Sequence, residues 1–202
     1  MTATILLARH GETDWNREGR WQGHADQPLN ELGREQARVL ARRLAPEPPQ
    51  RLYSSDFGRA RETAEIVGSS LGLPVLLEPR LREVDVGEWS GLTMDEVREL
   101  YPDAARRRGE GETGWESGES YEAMGLRVLE ALHAIALAHP GERILVVTHG
   151  GPMRAAWLAS GGARDSRPRY ANCDVETIAV EPGRIRRIDS GRGGGLHQQV
   201  QG

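Results

Sequence analysis

The chain contains no lysine: all 26 of its basic residues are arginine. That composition reads as codon bias toward GC-rich triplets, so an arginine outside a motif says little about function. Cysteine is nearly absent too, with Cys173 standing alone. A single thiol forms no internal disulfide and builds no cysteine-based zinc site, so a reducing, cytoplasmic setting is expected. No apolar run approaches the roughly 18 residues that span a bilayer, and no membrane association is expected. The opening Met1-Thr2-Ala3-Thr4-Ile5 runs straight into a strand pattern, without the basic region and apolar core of a secretion signal. No repeat of fixed period is present. Excess positive charge is missing as well, and the net charge of -4 argues against a nucleic-acid partner. No His-x-x-x-His pair or similar ligand spacing occurs, so no metal site is expected.

Two segments share one pattern. Ile5-Leu6-Leu7-Ala8 is a short apolar run closed by Arg9-His10-Gly11. Ile144-Leu145-Val146-Val147 is another, closed by Thr148-His149-Gly150-Gly151. Apolar runs of this length with turn signals behind them read as buried strands. Leu52-Tyr53 and Val75-Leu77 give further short strands. Asn30 is placed to cap a helix whose apolar stripe is Leu32, Ala37, Leu40, Ala41 and Leu44, stopped by Pro46, Pro48 and Pro49. More helices are expected from about Phe57 to Leu71, behind the capping box Thr93-Met94-Asp95-Glu96, and from about Tyr121 to Ala138. Val175-Ile178-Val180 and Ile185-Ile188 alternate around Glu181-Pro182-Gly183, a hairpin signal. Asp14 to Leu29 reads as a loop. The glycine-rich stretch from Pro102 to Ser120 reads as a mobile, lid-like insertion over about residues 101–120. From Ser190 onward the polar, glycine-rich sequence reads as a disordered tail, leaving residues 1–190 as one domain.

Strands alternating with helices predict an α/β fold, a three-layer α/β/α sandwich with a mainly parallel central sheet. In such sheets ligands bind beyond the carboxyl ends of the strands. His10 and His149 should then face each other across one pocket. Arg9 favours a phosphate ligand there, because a guanidinium meets tetrahedral oxyanions with two parallel hydrogen bonds. Gly11 lets the backbone turn and approach a ligand closely.

Four motifs occur in order: Arg9-His10-Gly11-Glu12-Thr13 with Asn16, Ser55-Asp56 through Arg59-Ala60 and Thr63-Ala64, Glu83 through Gly87 and Trp89, and Thr148-His149-Gly150-Gly151. Together they resemble the histidine phosphatase superfamily, also called phosphoglycerate-mutase-like, over roughly residues 4 to 180. The resemblance implies a phosphoglycerate-mutase-like fold with His10 as a nucleophile that forms a phosphohistidine. It implies a phosphate pocket of Arg9, Arg59 and a partly protonated His149, with Glu83 as the proton donor. Asp85 and Glu88 on the same loop are rivals for that acid role. Asn16, Gln22 and Gly23 resemble the family's substrate-contacting loop, and Thr13 and Gly150 complete the candidate binding set. No cofactor is implied.

The remaining histidines, His24, His133, His139 and His197, read as unremarkable. Arg61 reads as a surface charge and Arg106-Arg107-Arg108 as a solvated face. Three functions stay open at this stage. One is a metal-independent phosphatase acting on small phosphorylated metabolites, the second a phosphoglycerate mutase, the third a non-catalytic phospholigand-binding module. Mutases resembling this chain carry a longer insertion after the acid motif, which excludes water. The short segment here favours hydrolysis. The oligomeric state stays open, with a homodimer among the assemblies the resemblance allows.

Overall fold

In the computed structural model, which describes residues 2–109, 113–163, 166 and 168–188, strand β1 (Ala3–Arg9) is buried on both of its faces. Side chains alternate across a strand. Ala3, Ile5 and Leu7 enter one core, while Leu6 and Ala8 enter another. The strand Arg143–Thr148 behaves alike: Ile144 and Val146 join the first core, Leu145 and Val147 the second. Burial on both faces is why these runs are continuously apolar instead of alternating.

After β1 the chain forms α1 (Asp14–Arg17), α2 (Glu31–Leu44), β2 (Arg51–Ser54), α3 (Gly58–Leu71) and β3 (Val75–Leu77). Two single turns of 3-10 helix at Pro79–Leu81 and Gly87–Trp89 lead to α4 (Met94–Leu100), α5 (Pro102–Gly109) and α6 (Tyr121–Ala138). The chain continues through β4 (Arg143–Thr148), α7 (Gly150–Ala159), β5 (Val175–Glu181) and β6 (Arg184–Arg187). The six strands form one sheet in the order β3-β2-β4-β1-β5-β6. The first four strands are mutually parallel, and the hairpin β5–β6 adds an antiparallel edge. Helices α6 and α7 supply the first core, and α2 and α3 the second. Three layers result, as the alternation of elements predicts.

Local departures from the sequence reading have physical causes. Leu32 is 54% exposed and leaves the stripe of α2. Gly33 takes the inward place, because its backbone touches Glu12: an added Cβ would lie 2.1 Å from the Glu12 carbonyl oxygen. A Cβ on Gly11 would likewise fall 2.4 Å from the Gly33 carbonyl oxygen. Gly11 is thus required by a neighbouring backbone. The loop from Asp14 holds the short helix α1, capped by Thr13 and Asn16 in a reciprocal capping box. Of the region expected as a mobile lid, residues 110–112 lie outside the described residues; before them the chain forms α5, and after them Trp115 is buried beside Trp89 in the first core. Glu88 fixes the same segment by accepting the backbone N–H groups of Glu116 and Ser117. The tail from Ser190 lies outside the described residues, as does His197.

Gly33→Ala should lower the unfolding free energy by about 1–3 kcal/mol, since two packed backbones must separate. Gly109→Ala, where an added Cβ meets nothing within 4 Å, should change it by less than about 0.5 kcal/mol. Urea unfolding of the two variants makes the comparison.

Candidate active site

The parallel pairing of β1 with β4 sets Arg9 opposite Thr148. The next residue on each strand is a histidine. The His10 N–H donates to the Thr148 carbonyl at 2.9 Å, and the rings of His10 and His149 stand 5.2 Å apart, centroid to centroid. On the other side of β4, β2 ends in Ser54, and the following Ser55 brings its hydroxyl within 2.9 Å of His149 Nε2. Ser55, His149 and His10 therefore form a row along the carboxyl edge of the sheet.

Hydrogen bonding assigns the imidazole protons. His10 Nδ1 lies 2.7 Å from the Gly11 carbonyl oxygen, which only accepts. The proton sits on Nδ1, and Nε2 keeps a free lone pair. Ser55 Oγ accepts from the Phe57 N–H, so its own proton is free to go to His149 Nε2. His149 Nδ1 then carries the ring proton, and it is buried without a partner. Burial, followed by the charges of Arg59 and Arg9, holds the His10 pKa well below the usual value of 6.5. Burial, Arg59, His10 and Arg9 do the same to His149. Both rings are neutral near pH 7, which corrects the expectation of a partly protonated His149.

Positive charge comes from arginines instead. Arg59, near the start of α3, is 1% exposed and donates to the carbonyl oxygens of Ala25 and Gly23 at 2.8 Å each. Burial pushes its pKa down to about 10, so it remains a cation. Arg9 donates to the Tyr170 carbonyl at 2.8 Å. In both guanidiniums Nε is buried and unpartnered. Arg9, His10 and Arg59 line a cavity of about 180 Å³. A third arginine, Arg154, enters the same wall from α7.

Glu83 also lines this cavity. Its two carboxylate oxygens accept from the Val84 and Gly151 N–H groups at 2.9 and 3.1 Å. Gly151 leaves the room that this contact needs, because a Cβ there would lie 2.1 Å from Glu83 Oε1. The rival carboxylates are engaged elsewhere. Asp85 accepts from the Gly87 N–H at 3.0 Å. Burial opposes ionisation of Glu88, but hydrogen bonds from Ser117 and Glu116 outweigh it and push the pKa down to about 2. Asn16, Gln22, Gly23 and Gly150 line the cavity too. Thr13 does not; its hydroxyl accepts the Asn16 N–H as the cap of α1.

Sequence reasoning missed the supports. Arg127 on α6 donates to the carbonyl oxygens of Arg80, Arg82 and Glu83 and pairs with Glu119 at 2.6 Å, which pins the Glu83 loop. Asn172 donates to the His10 carbonyl at 2.9 Å and to Asn16 Oδ1 at 3.1 Å. Neither role has a local signal, since the bonds of Arg127 to the Glu83 loop and of Asn172 to His10 span more than 40 residues. Ser55 and Arg154 were findable: one is the first residue past the strand beside β4, the other lies one turn into the helix behind His149. Of the residues read as unremarkable, His24 packs on Phe57 and its Nε2 lies 3.0 Å from the Glu83 carbonyl. His139 caps α6 and contacts the Tyr53 hydroxyl at 2.8 Å. Arg61 is exposed with Glu65 as its partner, whereas Arg108 lies over the Tyr121 ring at 5.2 Å and is no solvated charge. Among the described residues no group of three or more His, Cys, Asp or Glu side chains is placed to hold a metal ion.

A strand-end histidine with a free Nε2, two guanidiniums and the Glu83 carboxylate thus line one cavity. The chain belongs to the histidine phosphatase superfamily (branch 1), whose model matches residues 5–189. It is 42% identical over 179 residues to the metal-independent phosphoserine phosphatase of Arabidopsis thaliana, covering 86% of this chain and 75% of that protein. Identity is also 42% over 186 residues to phosphoglycerate mutase-like protein 4 of the same plant, covering 90% of this chain and 81% of that one. Among solved structures, mycobacterial glucosyl-3-phosphoglycerate phosphatase in complex with VO3 superimposes with a TM-score of 0.81 at 28% identity. That match covers 92% of this chain and 96% of the other. The chain is an enzyme that hydrolyses phosphate monoesters.

Nitrogen NMR should find His10 and His149 neutral at pH 6.0, each with Nδ1 protonated; a titration midpoint near 6.5 for either ring would contradict this. The unfolded chain binds these protons first, so stability falls as pH drops below about 6.5. The loss is up to about 1.4 kcal/mol per pH unit for each ring, until the depressed folded pKa is reached.

Proposed function

We propose that this chain hydrolyses small phosphorylated metabolites in the cytoplasm through a covalent phosphohistidine at His10 Nε2, without a metal ion. The observation that carries this reading is that Arg9, Arg59 and His10 line one cavity and the His149 ring stands 5.2 Å from that of His10, while Arg9 Nε, Arg59 Nε and His149 Nδ1 are buried without partners and His10 keeps one free lone pair. Buried polar atoms are normally hydrogen-bonded. In this reading the oxygens of one bound anion are the partners these donors lack. A phosphomonoester carries nearly two negative charges, which two guanidiniums offset. The relative named metal-independent supports the same economy of parts, and the lone buried thiol of Cys173 supports the reducing compartment.

The steps follow from the assigned protons. His10 Nε2 attacks phosphorus, and the bond from phosphorus to the alcohol oxygen breaks. Glu83, in its carboxylic acid form, gives its proton to that oxygen, because an alkoxide leaves poorly. The Arg9 and Arg59 cations stabilise the charge on the transferring group. Glu83, now a carboxylate, takes a proton from water; the water oxygen attacks phosphorus, and the bond from phosphorus to nitrogen breaks. Orthophosphate leaves, with His10 and Glu83 restored. The mutase reading requires the alcohol to stay and recapture the phosphoryl group, and it has less support.

With p-nitrophenyl phosphate, His10→Ala should lower kcat by at least about 10³-fold, while a chelator changes nothing. Glu83→Gln should slow alkyl phosphates by about 10²-fold or more but p-nitrophenyl phosphate by less than about tenfold, since nitrophenolate needs little protonation. Equal slowing of both would remove Glu83 from the acid role. With 3-phosphoglycerate, orthophosphate should form without the 2-isomer; build-up of that isomer would favour the mutase.

A further inference from the structure

The catalytic cavity of about 180 Å³ is smaller than the roughly 300–1,000 Å³ of a usual ligand site. Beside it, along α6 and α7, lies a groove of about 950 Å³. Trp21, Tyr121, Gly151 and Arg154 belong to the walls of both. The two spaces therefore adjoin at these four residues.

The groove is lined with apolar side chains, among them Met124, Leu126, Leu129, Ala155 and Leu158. Leu126 leaves 60% of its surface exposed there. Gly125 sits between these residues, in the interior of α6 and without a positive φ. Glycine in that setting weakens a helix relative to alanine. An added Cβ would meet only the Ala155 Cβ, at 3.8 Å, an ordinary contact. No turn and no neighbour calls for glycine at this position, in contrast to Gly151. Gly125 keeps free a volume that the protein does not itself fill.

At the junction of the two spaces stands Arg154, half-buried and without a hydrogen bond or ion pair among the described residues. A guanidinium so placed matches a carboxylate with two parallel hydrogen bonds. Arg108, over the Tyr121 ring, adds positive potential on the same side.

Resting on the hydrolase reading above, we propose that this groove is the leaving-group site. Its occupant is the apolar body of a phosphomonoester that also carries a carboxylate close to the phosphate, held by Arg154.

N-acyl-O-phosphoserines, from acetyl to octanoyl, test this beside the matching N-acyl-O-phosphoethanolamines, which lack the carboxylate. The native enzyme should show kcat/KM rising at least about tenfold from acetyl to octanoyl. The carboxylate should add about fivefold or more. Gly125→Leu should flatten the dependence on chain length. Arg154→Gln should erase the preference for the carboxylate while the dependence on chain length persists. Turnover with no dependence on chain length, or a dependence that Gly125→Leu leaves intact, would overturn the proposal. Calorimetry with the dephosphorylated N-octanoylserine separates the two readings. If p-nitrophenyl phosphate is turned over and no member of this series is, the groove proposal fails. If neither is turned over, the hydrolase reading fails, and the groove stands only if this alcohol binds at least about tenfold more tightly than N-acetylserine in the native enzyme and loses that margin in Gly125→Leu.

Discussion

The parallel pairing of β1 with β4, in the register that sets Arg9 opposite Thr148, is the constraint on which the site depends. Two histidines far apart in the sequence become neighbours because each is the first residue past its strand. A slip of one residue would turn every side chain of β1 to the other face. Ile5 and Leu7 would then exchange cores with Leu6 and Ala8, and neither layer of helices would fit. The packing of two cores therefore enforces the geometry of the chemistry. The same logic extends one strand outward, where the Ser55 N–H bonds to the Val147 carbonyl at 2.9 Å and brings its hydroxyl to His149.

Electrostatics complete what the register begins. A buried guanidinium is stable only when its donors find partners, and backbone carbonyls of the loop from Gly23 to Ala25 and of Tyr170 supply some of them. The positive field of Arg9 and Arg59, added to burial, keeps both imidazoles neutral. In the proposed mechanism one field thereby serves two ends: it attracts a phosphate dianion, and it leaves His10 unprotonated. A protonated His149 would add attraction, but at the expense of crowding a third cation beside His10.

Much of this was legible in the sequence. The strands carrying His10 and His149 were readable because burial on both faces leaves an uninterrupted apolar run. Asn30 and Thr93 announced their helices by capping chemistry, and both caps form. The motifs around Arg59 and Glu83 pointed to residues that do line the cavity. What escaped was decided by contacts distant in sequence. Thr13 was drawn toward substrate by its place in a motif, yet its hydroxyl closes α1. The glycines after Pro102 carry no sign of the packing that Gly114 makes, where a Cβ would lie 2.2 Å from the Trp89 ring. Arg127 looked like any helix-surface arginine in a chain that has no lysine. Its function as the clamp on the Glu83 loop is visible only in three dimensions.

The central claim is that an anion is held between Arg9, Arg59 and His149 with its central atom facing His10 Nε2. A crystal structure with orthovanadate tests it most directly. Vanadium bonded to His10 Nε2, with oxygens accepting from Arg9 Nε, Arg59 Nε and His149 Nδ1, is the predicted result. Vanadate bonded through another residue, or lying in the cavity while those three donors stay unpartnered, would contradict it.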